Sequence, residues 1–178
     1  PNLREAVTLV TGAVLFSLVA SLYPAVAGGA QPSVRVFEML PGLGIVFTLE
    51  PLGLIFAALA SFLWVVTSIY SIGYMRGHDE QNQTRFYVLF AIAIGATIGI
   101  AFAGNMLTLF VFYEVLTIST FPLVTHHGTP EAKRAGRVYL GILLTTSIAF
   151  QLVAIIWTWS LVGTLDFTQG GILNGKVG

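Results

Sequence analysis

Cysteine is absent from the 178 residues, which excludes disulfides, thiolate metal sites and cysteine nucleophiles and leaves the redox compartment undecided. Charge is nearly as scarce. Asp, Glu, Lys and Arg make up 9% of the chain, against about a quarter in a soluble domain, whose surface must face water. Formal net charge is zero and the basic residues are scattered, so the sequence carries no nucleic-acid footprint. No cluster of His or acidic residues has metal-ligand spacing, and no glycine motif of the nucleotide-binding kind is present. The chain is therefore expected to hold no metal, no cofactor and no catalytic residues of its own. No cleavable signal peptide is expected, because the first apolar run is too long for one and no small-residue cleavage site follows it.

Apolar residues are abundant instead: 56% of the chain, with a mean hydropathy of +0.86. A surface so poor in charge needs lipid to cover it, and the reading is an all-α membrane protein, a polytopic bundle in a lipid bilayer. A helical span takes about 20 apolar residues to cross roughly 30 Å of hydrocarbon. Residues 6–27 and 51–75 each qualify. Residues 86–124 are too long for one span and suit two, broken at "AGN" (103–105), where Gly and Asn tolerate a left-handed helix end. The fifth span is 138–162, with Trp157 and Trp159 near its far end as interfacial aromatics. A β-barrel is excluded by stretches such as "LVAIIW" and "LLTTSIAF", which do not alternate. The expected organisation is an N-terminal region, 1–85, with two spans, then 86–165 with spans 86–103, 106–124 and 138–162, and 166–178 as a loop or truncated end. A start at Pro1 and a glycine-rich finish read as a piece of something longer.

Five spans place Arg4, Arg76, Arg85, Lys133, Arg134 and Arg137 on one side of the membrane and Arg35 and Lys176 on the other. Six against two puts the chain start in the cytoplasm and its end outside, with the cell inner (plasma) membrane as the expected location. In "THHGTPEAKRAGR", Gly128 suits a helix C-terminus, Thr129 an N-cap, Pro130 the first helical position and Glu131 the first turn.

One residue breaks the apolar pattern. In "LFVFYEVLTIST" Glu114 stands nine residues past Asn105 and eleven before Thr125, near mid-membrane. An ionised carboxylate there costs several kcal/mol, so it must be neutral, paired or facing a hydrated cavity. Thr117 shares its face, and Pro122 removes a backbone donor and frees the carbonyl of Ile118. Intramembrane acids of this kind mark proton or cation paths. The alternative is a structural Glu bonded to a neighbouring helix, with Thr97, Thr145, Thr146, Ser147 and Gln151 as candidate partners; Thr145 and Thr146 are kept as possible supports. No Lys or Arg lies inside the five spans, so any cationic partner must come from elsewhere. His126 and His127, at the end of the same helix, read either as a proton relay or as solvated interfacial residues. Glu50, before Pro51, reads as a helix N-terminal anion. Asp79 and Glu80 read as ordinary loop solvation. Phe86, Tyr87, Phe90, Phe110, Phe112 and Tyr113 read as packing or lipid-facing residues rather than a quinone site.

These residues carry a resemblance. "AFAGNMLTLFVFYEVLTISTFPLV" resembles the fourth-to-fifth helix segment of the antiporter-like membrane subunits of Mrp-type cation/proton antiporters, respiratory complex I and membrane-bound hydrogenases. "FTLEPLGLIF" is similar to an earlier helix of that family, "RFYVLFAIAIGATIGIAFAGN" to its fourth, and "EAKRAGRVYLGILLTTS" to the start of its sixth. The resemblance implies helices two to six of a 14-helix fold built from two inverted five-helix repeats, with Glu114 as the proton-path carboxylate. It also implies a Lys partner on a later, broken helix beyond this chain. Tyr113 before the Glu favours the D-like branch of the Mrp antiporter family over the complex I branch, where Trp is commoner. The resemblance thus implies a proton and Na+ translocating subunit with other membrane subunits as partners. The alternatives are a proton-pumping membrane subunit of an NADH:quinone oxidoreductase or hydrogenase, in which redox chemistry lies in other subunits, and a scaffold bundle with a structural Glu.

Overall fold

The computed structural model describes residues 2–176. Helix α1 (Asn2–Ser21) runs into a short α2 (Tyr23–Ala27), where Pro24 sits in the first turn. Strands β1 (Ser33–Leu40) and β2 (Leu43–Thr48) form an antiparallel hairpin. Then come α3 (Pro51–Gly77), α4 (Gln83–Ala101), α5 (Met106–Val124) and α6 (Pro130–Thr146), a π-helical segment (Ser147–Leu152) and α7 (Val153–Val162). Five helical stretches, with α1–α2 and α6 through α7 counted as one each, are long and apolar enough to cross a membrane. The helical bundle of five spans is thus what the chain forms.

Neighbours in sequence pack as neighbours in space: α1 on α3, α3 on α4, α4 on α5, α5 on α6. Small residues set the closest approaches. A Cβ on Gly53 would strike the carbonyl of Ala101, one on Gly99 the ring of Phe112, and one on Gly136 the methyl of Thr125. Each glycine therefore lets a neighbouring helix come closer than any larger residue permits. One buried apolar cluster joins Val19, Leu49, Leu54 and Ala57 under the hairpin. Another joins Leu107, Ile155 and Leu165, with Trp159 packed on it. Trp157 is exposed, so the two tryptophans that look alike in sequence go opposite ways.

The hairpin is not foreshadowed by the hydropathy pattern. Its turn is Pro41–Gly42, with Gly42 at φ +76°, and Glu38 Oε1 accepts from Gly42 N at 3.1 Å and from Arg35 Nη1 at 2.9 Å. "SVRVFEML" and "LGIVFT" are β-branched and aromatic runs flanking a Pro-Gly turn, the signal by which it can be found.

The hairpin also explains the "AGN" break. Helix α4 stops at Ala101 and α5 starts at Met106 as expected, but neither Gly104 nor Asn105 is left-handed. The turn runs extended between β2 and residues 165–167. Thr48 N donates to Phe102 O (2.8 Å), Gly104 N to Val46 O (2.8 Å), Met106 N to Leu165 O (3.1 Å) and Phe167 N to Gly104 O (3.0 Å). A Cβ on Gly104 would collide with Thr48. Glycine is needed there for room, not for a positive φ. Glu50 is the N-cap of α3 ahead of Pro51, without a side-chain cap bond.

The opposite end of the bundle carries most of the basic residues. Arg76, on α3, reaches both carboxylate oxygens of Glu5 on α1, with Nε at 3.1 Å from Oε1, and donates to Asn2 Oδ1 at 2.6 Å. Arg4 lies 3.5 Å from Glu5, donates to Gln83 Oε1 (2.5 Å) and Thr84 Oγ1 (3.2 Å) on α4, and stacks over Tyr87 at 5.1 Å. Glu5 is only 5% exposed. We call this the basic end and the other the hairpin end.

Candidate functional site

Helix α5 owes its start to Asn105. Its side-chain Oδ1 accepts from Thr108 N at 2.7 Å, the N-cap bond, while Nδ2 donates to Gly44 O at 2.8 Å. Thr108, fully buried, bonds back to the hairpin: its Oγ1 accepts from Val46 N at 2.8 Å. The helix is thereby fixed at its hairpin end to a rigid platform. Nine residues further on stands Glu114, half-buried, with Oε1 shielded from solvent and without a hydrogen-bond partner among the described residues. A buried carboxylate oxygen with no donor loses its hydration and gains nothing in return. Such an oxygen is open to completion by a group outside these residues.

Thr117, three residues on, is 4% exposed. Its carbonyl accepts from Thr120 Oγ1 at 2.9 Å, and Leu116 O accepts from Ser119 Oγ at 2.9 Å. Pro122 lies inside α5 and denies Ile118 O its helical donor. The far end of α5 thus has hydroxyls bonded to carbonyls of its own turns and one carbonyl, that of Ile118, without a helical donor. Thr125 closes it, with both N and Oγ1 bonded to Phe121 O at 3.0 Å. The helix ends there, three residues before Gly128, which adopts φ +69° only after a further turn. Thr129 then caps α6, its Oγ1 accepting from Ala132 N at 3.1 Å, with Pro130 first in the helix and Glu131 in the first turn.

The two histidines fare differently. His127 is exposed. His126 is largely buried, its ring edge-on to Phe86 at 5.8 Å, and neither ring nitrogen has a partner. Glu80 Oε2 lies 4.0 Å from Nε2, and Arg85 Nη2 donates to the His126 carbonyl at 3.1 Å. Sequence spacing does not give this histidine Glu80 and Arg85 as companions, because they arrive from the α3–α4 side through tertiary packing.

Of the suggested partners of Glu114, Thr97, Thr146 and Ser147 hold their hydroxyls elsewhere. Thr97 Oγ1 donates to Ala93 O (2.9 Å) and Ser147 Oγ to Leu144 O (3.1 Å). Thr145 and Thr146, expected to support Glu114, are both exposed, and Thr146 Oγ1 donates within its own turn to Ile142 O and Leu143 O at 2.9 Å. No group of three or more His, Cys, Asp or Glu able to hold a metal ion occurs among the described residues.

Residues 42–87 match the family described as NADH-Ubiquinone oxidoreductase (complex I), chain 5 N-terminus, and residues 103–174 match NADH:quinone oxidoreductase/Mrp antiporter, TM. The chain belongs to this antiporter-like family. The antiporter-like chain is 32% identical over 169 residues to the A/B subunit of a probable K(+)/H(+) antiporter of Rhizobium meliloti, a match covering 92% of this chain and 16% of the relative. It is 26% identical to the N subunit of the NADH-quinone oxidoreductase of Desulforudis audaxviator, over 96% of this chain and 35% of the relative. It thus spans about a third or less of the length of such relatives. Among solved structures it superposes on a chain of the membrane-bound sulfane sulfur reductase, an archaeal respiratory membrane complex, with a TM-score of 0.78 at 18% identity, covering 91% of this chain and 33% of that one. The fold is therefore shared with a chain of that complex at low identity.

Proposed function

We propose that this chain is the proton-carrying part of a cation/proton-translocating membrane subunit of a Mrp-type multisubunit antiporter, with Glu114 as the intramembrane carboxylate that takes up and releases the proton. The observation that carries the reading is the buried, unpartnered Oε1 of Glu114 on a span containing no basic residue. A carboxylate that must change charge cannot be locked by permanent donors, and intramembrane acids are rare and costly unless a path needs them. Thr117 and Pro122 shape its surroundings, and His126 and His127 connect α5 to the aqueous phase at the basic end. Thr145 and Thr146 drop out of the reading on their exposure. The cation that pairs with Glu114 comes from outside these residues, as the resemblance implies for a Lys on a later helix. Na+ is the coupled ion we favour, and other membrane subunits are the partners. The division into residues 1–85 and 86–165 separates the helices that brace the site from those that carry it.

A second reading is a proton-pumping subunit of an NADH:quinone oxidoreductase or a hydrogenase. It is supported by the match to the N subunit of such an oxidoreductase across nearly the whole chain. The two readings share the proton path and differ in what drives it: cation gradients in the first, redox subunits in the second.

The test is Glu114→Gln in the full-length subunit within its native assembly, at equal expression, with proton-coupled transport followed in membrane vesicles. Gln keeps size and hydrogen-bonding capacity but carries no transferable charge. We expect transport to fall to background with the complex intact. Transport at the wild-type rate would make Glu114 a packing residue. Dependence of the surviving wild-type flux on added Na+ separates the antiporter reading from the redox-driven one.

A further inference from the structure

We infer that Glu80 is the port carboxylate through which protons reach His126 from the aqueous phase, an inference that rests on the proton-carrying reading above. Hydrogen bonds hold the backbone of the α3–α4 loop on both sides of Glu80. Glu80 N donates to Met75 O at 3.1 Å, and Gln83 Nε2 donates to Glu80 O at 2.9 Å and to Met75 O at 3.2 Å. Arg4 in turn holds Gln83. The carboxylate alone is left uncommitted, and its Oε2 lies 4.0 Å from His126 Nε2. On its outer side a polar cleft opens to solvent, lined by Arg4, Glu80, Gln81, Gln83, Thr84 and Arg85.

His126 supplies the other half. An imidazole with 11% of its side chain exposed and both nitrogens buried without a partner is an unsatisfied group that a native fold retains only for a reason. Its backbone is pinned by Arg85 and its ring by Phe86, so the ring is aimed but unbonded. A small rotation of either side chain brings the two into hydrogen-bond range. The charged and titratable groups around it are Glu80 from the loop, Arg85 from α4 on its carbonyl, and His127 with its ring at 6.0 Å. The first-turn charges of α6, namely Glu131, Lys133 and Arg134, are exposed to solvent.

The step balances as a simple proton transfer. Glu80 takes a proton from hydronium in the cleft, leaving water, and passes it to Nε2 of the Nδ1–H tautomer of His126, regenerating the carboxylate. The imidazolium then gives its Nδ1 proton to a water on the α5 side, and a flip of the ring returns an unprotonated nitrogen to Glu80. No electron moves and no covalent bond between heavy atoms changes. From Glu114 to the end of α5 at Val124 is about 15 Å of helix axis, with His126 just beyond it. Thr125 and Thr117, both buried, lie on the Glu114 side of α5 by helical spacing and mark the course a file of waters would take.

The experiment uses the full subunit in its native assembly, in vesicles, comparing Glu80→Gln, Glu80→Asp, His126→Gln, the double variant Glu80→Gln/His126→Gln, and Glu114→Gln. Glu80→Gln is expected to slow proton-coupled transport several-fold, most at alkaline pH, where protons are scarce. Glu80→Asp should recover most of the rate. Imidazole in the bathing medium should restore Glu80→Gln but not Glu114→Gln, and the double variant should be no slower than His126→Gln alone. Wild-type transport in Glu80→Gln across the pH range, with Glu114→Gln inactive, overturns the port and leaves the proposed function standing. Slowing that neither imidazole nor Asp relieves, or failure of Glu80→Gln to assemble, marks a structural carboxylate and overturns the port as well. Retained transport in Glu114→Gln instead overturns the proposed function on which the port depends.

Discussion

Asn105 shows how much one side chain can hold in an apolar bundle. It caps α5 through Oδ1 and ties that helix to the hairpin through Nδ2 to Gly44 O, and it is 1% exposed. Loss of an N-cap costs about 1 kcal/mol, and leaving Gly44 O buried without its donor adds a further ~1–3 kcal/mol. Asn105→Ala should therefore lower the unfolding midpoint of the detergent-solubilised protein clearly, followed by circular dichroism on heating. Asn105→Ser retains a cap acceptor but loses the donor to Gly44 O, and should fall between wild type and Ala. Equal losses for the two variants would mean that the cap contributes nothing. From sequence, Asn105 is legible as a helix breaker beside Gly104. Its second bond is not, because Gly44 lies 61 residues away and no local pattern pairs the two.

At the scale of elements, the long helices are legible because hydropathy over about 20 residues is a coarse and robust signal. The caps of α6 are legible too, since Thr-Pro-Glu at a helix start has a local mechanism. The hairpin and the π segment are not. The strands are short and exposed along β1, so their alternation carries little burial signal, and the extra residue of a π segment leaves the composition of the span unchanged. That segment packs against α5 and interrupts the helix that the sequence presents as one continuous span. The tightest element contact is α4 on α5, where Gly99 faces Phe112 and Phe112 in turn meets Phe47 of β2 at 5.4 Å. Gly99→Leu forces the ring out of this seat and should destabilise by about 1–3 kcal/mol, the usual cost of overpacking. Phe112→Ala/Gly99→Leu should recover part of that loss, because the new side chain fills the vacated space. A double-mutant cycle on unfolding midpoints checks this: strictly additive effects would mean that Gly99 and Phe112 do not share the contact.

The whole molecule has two unlike ends, and hydrogen bonds assign each loop to one of them. Arg4 with Gln83, Arg76 with Glu5, and Arg85 with His126 gather the chain start, the α3–α4 loop and the α5–α6 loop at the basic end. Val46 with Gly104 and Leu165 with Met106 gather the hairpin, the α4–α5 turn and the segment after α7 at the other. Six of the eight basic residues sit toward the first end, and from the positive-inside rule we expect that end to face the cytoplasm. The absence of cysteine makes the orientation directly measurable, since single cysteines introduced into these residues meet no native thiol. We expect Gln81→Cys, in the α3–α4 loop, to react with a membrane-impermeant maleimide only in inside-out vesicles. Gln31→Cys, ahead of the hairpin, should react only in right-side-out cells. The reverse pattern would invert the molecule, and it would move the Glu80 cleft and the entry to His126 to the outer face. The same two labels therefore fix from which compartment the proposed path to Glu114 draws its protons.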